Sequence, residues 1–255
     1  MPSWRRSPKP YSGSVVNTYG VLERTVAAQV AVQKTSLIDY PGRVSAVFFL
    51  PGCNFRCPYC HNPELVIPPF PGDLAVFEDA LAFLDTRRSI LSGVVLSGGE
   101  PLLREDLPAL AREIRNRGFK VKLDTNGSFP ERIEGVGADF VALDLKTVPE
   151  SYDRVAPEVT DAGFRVLESL RIVRSLGVPY ELRITCAPGI VEAEEIRSLA
   201  DLLEPEDSVV LQGFRPLRVL DPRWRSFPPT QEALLEEYAR VFGTRAARVR
   251  IRSSF

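Results

Sequence analysis

The chain has 255 residues, enough for one or two domains and for a sizeable core. Its 32 basic residues face 33 acidic ones, a formal net charge of -1, so the gross balance draws neither nucleic acid nor an anionic membrane as partner. Apolar residues at 44% and charged residues at 25% exclude wholesale disorder. No apolar run approaches the ~18 residues that cross a bilayer, and the amino terminus lacks the apolar stretch of a secretory signal; a cytoplasmic protein is expected.

Residues 1–28 mix Pro, Ser, Gly and Arg without a sustained apolar period and read as a flexible or loosely docked extension; residues 29–255 read as a single domain. Residues 30–39, with the Pro41-Gly42 turn, supply an antiparallel edge strand ahead of an apolar strand at 44–50 that Pro51-Gly52 ends. A first helix carries Leu74, Phe77, Leu81 and Leu84; a second carries Leu107, Leu110, Ala111 and Ile114 and stops at Gly118. Val166, Leu170 and Val173 mark a third helix before Gly177, and Ile196, Leu199, Ala200 and Leu203 a fourth. Thr230 is placed to cap a last helix with Leu234, Tyr238 and Val241, closed by Gly243. Strands fall between them at 93–97, 120–124, 140–144, 181–185, 208–212 and 248–252.

Repeated strand–helix units make an α/β protein with a parallel sheet, either open and doubly wound or curled into a full or partial barrel. Periodicity does not separate these. In each, ligands sit beyond the carboxyl ends of the strands. The unusual loops fall there: a cysteine-rich loop after 44–50, then GGEP at 98–101, TNG at 125–127, LK at 145–146, CAPG at 186–189 and GFRP at 213–216. One rim carries them all, which argues for one central site.

The cysteine loop spaces Cys53, Cys57 and Cys60 as C-x3-C-x2-C. Thiolates are soft ligands for iron–sulfur clusters, zinc or copper(I), and this spacing lets one loop wrap one centre. Three cysteines are one short of a closed tetrahedral site, and His61, adjacent to Cys60, is badly placed to complete it. Two readings follow: Cys186 as a fourth ligand, or a 4Fe-4S cluster with three protein ligands and one open iron.

CNFRCPYCHN, followed by SGGEP after the next strand, resembles the radical S-adenosylmethionine superfamily. Together with KTSLIDYPG, LDTNG, DLK and GFRPL, it resembles the activating proteins of glycyl radical enzymes, especially those of anaerobic ribonucleoside-triphosphate reductase; the likeness runs from about residue 30 to 220. The resemblance implies a partial (β/α)6 TIM-like barrel and a 4Fe-4S cluster on Cys53, Cys57 and Cys60. It implies S-adenosylmethionine on the open iron, reductively cleaved to a 5'-deoxyadenosyl radical that takes hydrogen from a backbone glycine of the partner enzyme. A low-potential electron donor such as flavodoxin or ferredoxin is implied as second partner.

By the same resemblance, Gly98, Gly99 and Glu100 receive the methionyl amino group, the alternative being a plain Gly-Gly turn. Tyr59 offers an aromatic face to adenine, or packs the loop; His61 lines the adenine pocket, or is a surface histidine. Asp124, Thr125 and Asp144 correspond to contacts for the cofactor and a monovalent cation, although LDTNG also reads as an Asx turn. Lys146 and Arg183 are candidates for the methionyl carboxylate or ribose, against ordinary surface salt bridges. Cys186 reads as a small buried apolar residue in preference to a ligand. Formate-lyase-type activators carry a histidine on the late strand where this chain has GFRPL; either Gln212 or Arg215 takes its place, or the contact is absent. Arg240, Arg245, Arg248, Arg250 and Arg252 form either a docking face for an acidic partner or a solvated strand face. Radical chemistry on a small molecule or another peptide is the alternative function, and a non-catalytic zinc-binding module the remote one.

Overall fold

The computed structural model describes residues 29–246 and 248–252; the expected extension at 1–28 lies outside the described residues. A nine-stranded sheet forms from β1 (Gln29–Ser36), β2 (Ser45–Leu50), β3 (Ala75–Val76), β4 (Gly93–Gly98), β5 (Lys120–Thr125), β6 (Phe140–Asp144), β7 (Tyr180–Cys186), β8 (Ser208–Gly213) and β9 (Arg248–Arg252). The helices are α1 (Phe77–Asp85), α2 (Leu107–Asn116), α3 (Pro130–Val136), α4 (Ala162–Ser175), α5 (Ala193–Asp201) and α6 (Glu232–Phe242).

The sheet order is β3-β1-β2-β4-β5-β6-β7-β8-β9. From β2 onward every neighbour is parallel and next in the chain among these strands. A doubly wound sheet reverses its order at a switch point; this one never does, so six βα units and a closing strand curl in one direction into a partial TIM-like barrel. β1 pairs antiparallel with β2, as the Pro41-Gly42 turn predicts.

Alternation along the strands sorts two environments. Ala46, Phe48 and Leu50 of β2 pack outward with Val94, Leu96 and the buried stripe Leu107, Ala111 and Ile114 of α2; full burial of such an aliphatic side chain contributes ~1.5–3 kcal/mol. The intervening Val47 and Val95 face inward and meet Tyr40, with Phe49 and Phe140 against them, closing one end of the barrel with apolar groups. Farther along the same inner face the residues become polar: Ser97, Asp124, Asp144, Arg183, Thr185 and Gln212 line a cavity.

Three local expectations are corrected. α1 begins at Phe77, so Leu74 lies ahead of it, before the short β3. Thr230 does not cap α6; Gln231 holds that position, and the Thr230 hydroxyl donates to the Cys186 carbonyl (2.6 Å) and accepts from the Phe214 amide (2.9 Å). Helix α3 was not expected, being only seven residues long; its signal is Pro130 in the first turn and Gly137 in the left-handed conformation just past the end.

Candidate active site

Cys53, Cys57 and Cys60 are free and line one cavity of about 340 Å³ at the carboxyl ends of the strands. Their loop is held mainly through its backbone. Gly52 N donates to Leu65 O (2.8 Å), Cys53 N to Val66 O (3.2 Å), Cys60 N to Cys57 O (3.0 Å) and Arg56 N to Val155 O (2.7 Å). The Arg56 guanidinium braces the loop from outside, donating to Cys53 O (2.7 Å) and Phe55 O (2.9 Å) and pairing with Glu158 at 3.3 Å. Burial pushes the Cys53 thiol up to about 11 and the Cys57 thiol up to about 12, and raises Cys60; the Lys146 ammonium pulls all three the other way. Binding a metal centre therefore requires these thiols to shed protons.

Cys186 does not line this cavity. It is 2% exposed within the apolar core, where burial pushes its thiol up to about 12. Among the described residues no three His, Cys, Asp or Glu side chains are grouped as a single metal ion would need. The donor set is three soft sulfurs spread along one loop, which fits a cluster with three protein ligands and an open position.

The glycines at the end of β4, Gly98 within it and Gly99 just past it, answer to the cysteine loop. Gly98 has φ 123°, and a Cβ there would stand 2.3 Å from Leu50 N; at Gly99 it would stand 1.9 Å from Gly52 O. This bare backbone lets Gly99 N donate to Leu50 O and Glu100 N to Gly52 O, both at 2.8 Å. Glu100, 1% exposed, accepts from Leu102 N (3.0 Å), the Thr125 hydroxyl (2.8 Å) and Asn126 N (2.7 Å). Burial pushes its carboxyl up to about 7 despite these three donors. Asn126 continues the contact, donating to Asn54 Oδ1 at 3.1 Å and facing Cys53 Sγ at 3.9 Å. The Asx-turn reading of the TNG segment also holds locally, since Ser128 N donates to the Asn126 side chain at 2.9 Å.

The floor of the cavity is an alternating ladder of charge. Arg250 meets Glu181 (2.7 Å), Glu181 lies 3.4 Å from Lys122, and Lys122 meets Asp124 (2.7 Å). Asp124 then meets Arg183 (2.7 Å), Arg183 meets Asp144 (2.6 Å), and Asp144 meets Lys146 (2.9 Å). Desolvation would raise both aspartates, but Arg183 with Lys122 holds Asp124 below the usual carboxylate range, and Arg183 with Lys146 does the same to Asp144. All four aspartate oxygens are engaged by protein cations. A monovalent cation at Asp124, Thr125 and Asp144 has to compete with those cations. Arg183 and Lys146 sit in a nearly buried network, and the surface salt-bridge alternative does not describe them.

Tyr59 is 4% exposed; its ring lies 5.8 Å from that of Trp224 and its hydroxyl donates to Lys146 O at 3.4 Å. It shapes the cavity wall as a packed loop residue. His61 is exposed at the cavity, stacked at 6.5 Å on Phe214; desolvation, then Lys146, lowers its imidazole pKa. Gln212 lines the cavity, whereas Arg215 borders a neighbouring, more apolar hollow with Leu217 and Leu235. The carboxyl-terminal arginines do not form one free face: Arg245 pairs with Asp201, Arg250 with Glu181, and Arg252 donates to Ile38 O.

Sequence reasoning missed Arg56, Asn126, Trp224 and the Lys122–Glu181 rung. Only Lys122 left a local trace, a charged residue at an inward position of a buried strand.

The chain belongs to the radical SAM superfamily, whose family model, described as "Radical SAM superfamily", matches residues 47–203. It is 33% identical over 214 residues to the "Putative glycyl-radical enzyme activating enzyme" of Methanocaldococcus jannaschii, covering 81% of this chain and 88% of that protein. It is 30% identical over 182 residues to the pyruvate formate-lyase-activating enzyme of Clostridium pasteurianum, covering 68% and 75%. Among solved structures, TYW1 with a lysine-pyruvate adduct bound superposes with a TM-score of 0.59 at 16% identity, over 79% of this chain and 74% of that one; this likeness is one of fold. The family is one of iron–sulfur enzymes acting on S-adenosylmethionine, and membership in it displaces the zinc-module reading. No helix among the described residues is long and apolar enough to cross a membrane.

Proposed function

We propose that this chain, through a catalytic domain at 29–255, installs a glycyl radical on a partner enzyme, with anaerobic ribonucleoside-triphosphate reductase as that partner. One observation carries the reading: three thiols of a single loop share a cavity with a glycine-walled strand end and a balanced set of buried charges. The activating enzymes among its relatives support the glycyl target.

In this reading Cys53, Cys57 and Cys60 hold a 4Fe-4S cluster. When bound, the cluster supplies the electron that splits S-adenosylmethionine into methionine and a 5'-deoxyadenosyl radical, which takes hydrogen from the target glycine. The backbone of Gly98 and Gly99, with Glu100, receives the methionyl ammonium. Lys146 and Arg183 attract its carboxylate, held in place by Asp144 and Asp124. Tyr59 and His61 wall the adenine side of the cavity that Gln212 also lines. Thr125 holds Glu100 in position. The electron arrives from a low-potential donor such as flavodoxin or ferredoxin, and the cytoplasm is the compartment in which four free thiols stay reduced.

The test uses anaerobically reconstituted protein with dithionite. It should release 5'-deoxyadenosine and, mixed with the reductase, give a doublet glycyl signal in electron paramagnetic resonance. Release that survives Cys57→Ala refutes the site, and release without the doublet moves the chemistry to another substrate.

A further inference from the structure

The charge ladder extends well below the cavity. Lys122 and Glu181 are both 0% exposed, one rung beneath the groups that reach the open space. The fold does not ask for charge there, because Val47, Val95 and Phe140 fill neighbouring inward positions with apolar groups. Burying ions costs desolvation that hydrophobic residues of like volume avoid, so a buried pair is weak evidence of a role in stability.

Its geometry bears on Arg183. Asp124 divides its oxygens, Oδ1 accepting from Lys122 Nζ at 2.7 Å and Oδ2 from Arg183 Nη1 at 2.7 Å. Arg183 reaches Asp144 through Nε at 2.6 Å, and Asp144 gives its other oxygen to Lys146. Without Lys122, both Asp124 oxygens open to Arg183, whose guanidinium forks onto a carboxylate by preference. That rotation draws Arg183 from Asp144 and releases Lys146 from its place. Glu181 restrains Lys122 from below; it lies 3.4 Å away, its Oε1 has no hydrogen-bond partner, and its Oε2 meets Arg250.

We propose that Lys122 and Glu181 are positioning residues, which fix Arg183 and Lys146 in the orientation that receives the anionic end of S-adenosylmethionine. This rests on the cofactor reading given above.

The test compares S-adenosylmethionine binding by anaerobically reconstituted, oxidised-cluster protein, measured by equilibrium dialysis, with thermal unfolding of the same samples. Lys122→Met with Glu181→Leu removes the rung and leaves Arg250, whose side chain is 46% exposed, to water. The double variant should melt no lower than the parent yet bind the cofactor about tenfold more weakly. Arg250→Gln frees the lower end of the ladder without emptying the core and should weaken binding about twofold. Lys120→Gln, which breaks a half-exposed pair with Asp139 outside the ladder, serves as the control.

Unchanged affinity in the double variant overturns the inference, including the case where only its melting temperature falls. If that variant does not fold, unchanged binding by Arg250→Gln overturns it instead. A parent protein that binds no S-adenosylmethionine overturns the cofactor reading and this inference together, whereas normal parent binding with unaffected variants overturns this inference alone.

Discussion

Gly99→Ala places a methyl group where a carbonyl already stands. The added Cβ would lie 1.9 Å from Gly52 O and 2.5 Å from Gly52 C, inside the 3.0 Å that real Cβ atoms respect. The obstacle is backbone, so no side chain can swing aside. Relief requires parting the end of β4 from the cysteine loop, stretching Gly99 N to Leu50 O and Glu100 N to Gly52 O. Two such bonds contribute ~1 kcal/mol each and overpacking costs ~1–3 kcal/mol, so the variant should lose ~3–5 kcal/mol. Domains of this kind have only ~5–15 kcal/mol in all. Gly118→Ala is the matched control: Gly118 has φ 91° but open space around its Cβ, so the substitution meets only backbone strain of ~1–2 kcal/mol. Urea denaturation of both variants in the metal-free state separates the two costs, and iron uptake shows whether the cysteine loop still forms. Equal urea midpoints would mean that docking of the two backbones is not what demands glycine at 99.

Three further outcomes follow from the same site. Burial moves the Glu100 carboxyl from 4.5 up to about 7, so the folded chain keeps a proton that the unfolded chain releases between those values. The contribution of this group is therefore full below about pH 4.5 and is lost as pH rises to about 7, a change of ~3 kcal/mol. Metal-free Glu100→Gln should lack that slope in urea titrations run from pH 5 to 8, and an identical slope in both proteins refutes the assignment. Asp144→Asn takes one partner from a buried network and should cost ~3–5 kcal/mol; a loss below ~1 kcal/mol, the usual worth of a surface pair, would show the ladder to be solvated. Cys186→Ala trims a core side chain and should leave iron and sulfide content at the parental level, while a drop in iron would restore Cys186 as a ligand.

Much of the fold was legible because its signals are local. The apolar run at 44–50, the strands that follow, and Gly118 and Gly177 past their helices all lie within a turn or two of the residues they govern. The cysteine spacing and the rim loops were legible for the same reason, since parallel βα units place every strand end on one side. Where local signals were short or had competitors, reading failed. α3 is too brief to show a period, and Thr230 found partners in Phe214 and Cys186 instead of a helix end.

The amino-acid sequence alone placed three thiols at short spacing after one buried strand and a glycine pair at the end of the next, the motifs that carry the family resemblance and, through it, the chemistry it implies. Tertiary structure alone decided the direction in which the sheet winds, the docking of Gly99 on Gly52, and the pairing of Arg183 with both Asp124 and Asp144. These three residues stand on β5, β6 and β7, 39 residues apart for Arg183 and Asp144 and 59 for Arg183 and Asp124. Strand order and inward register bring such charges together, and no spacing along the chain encodes a contact that only the curled sheet creates.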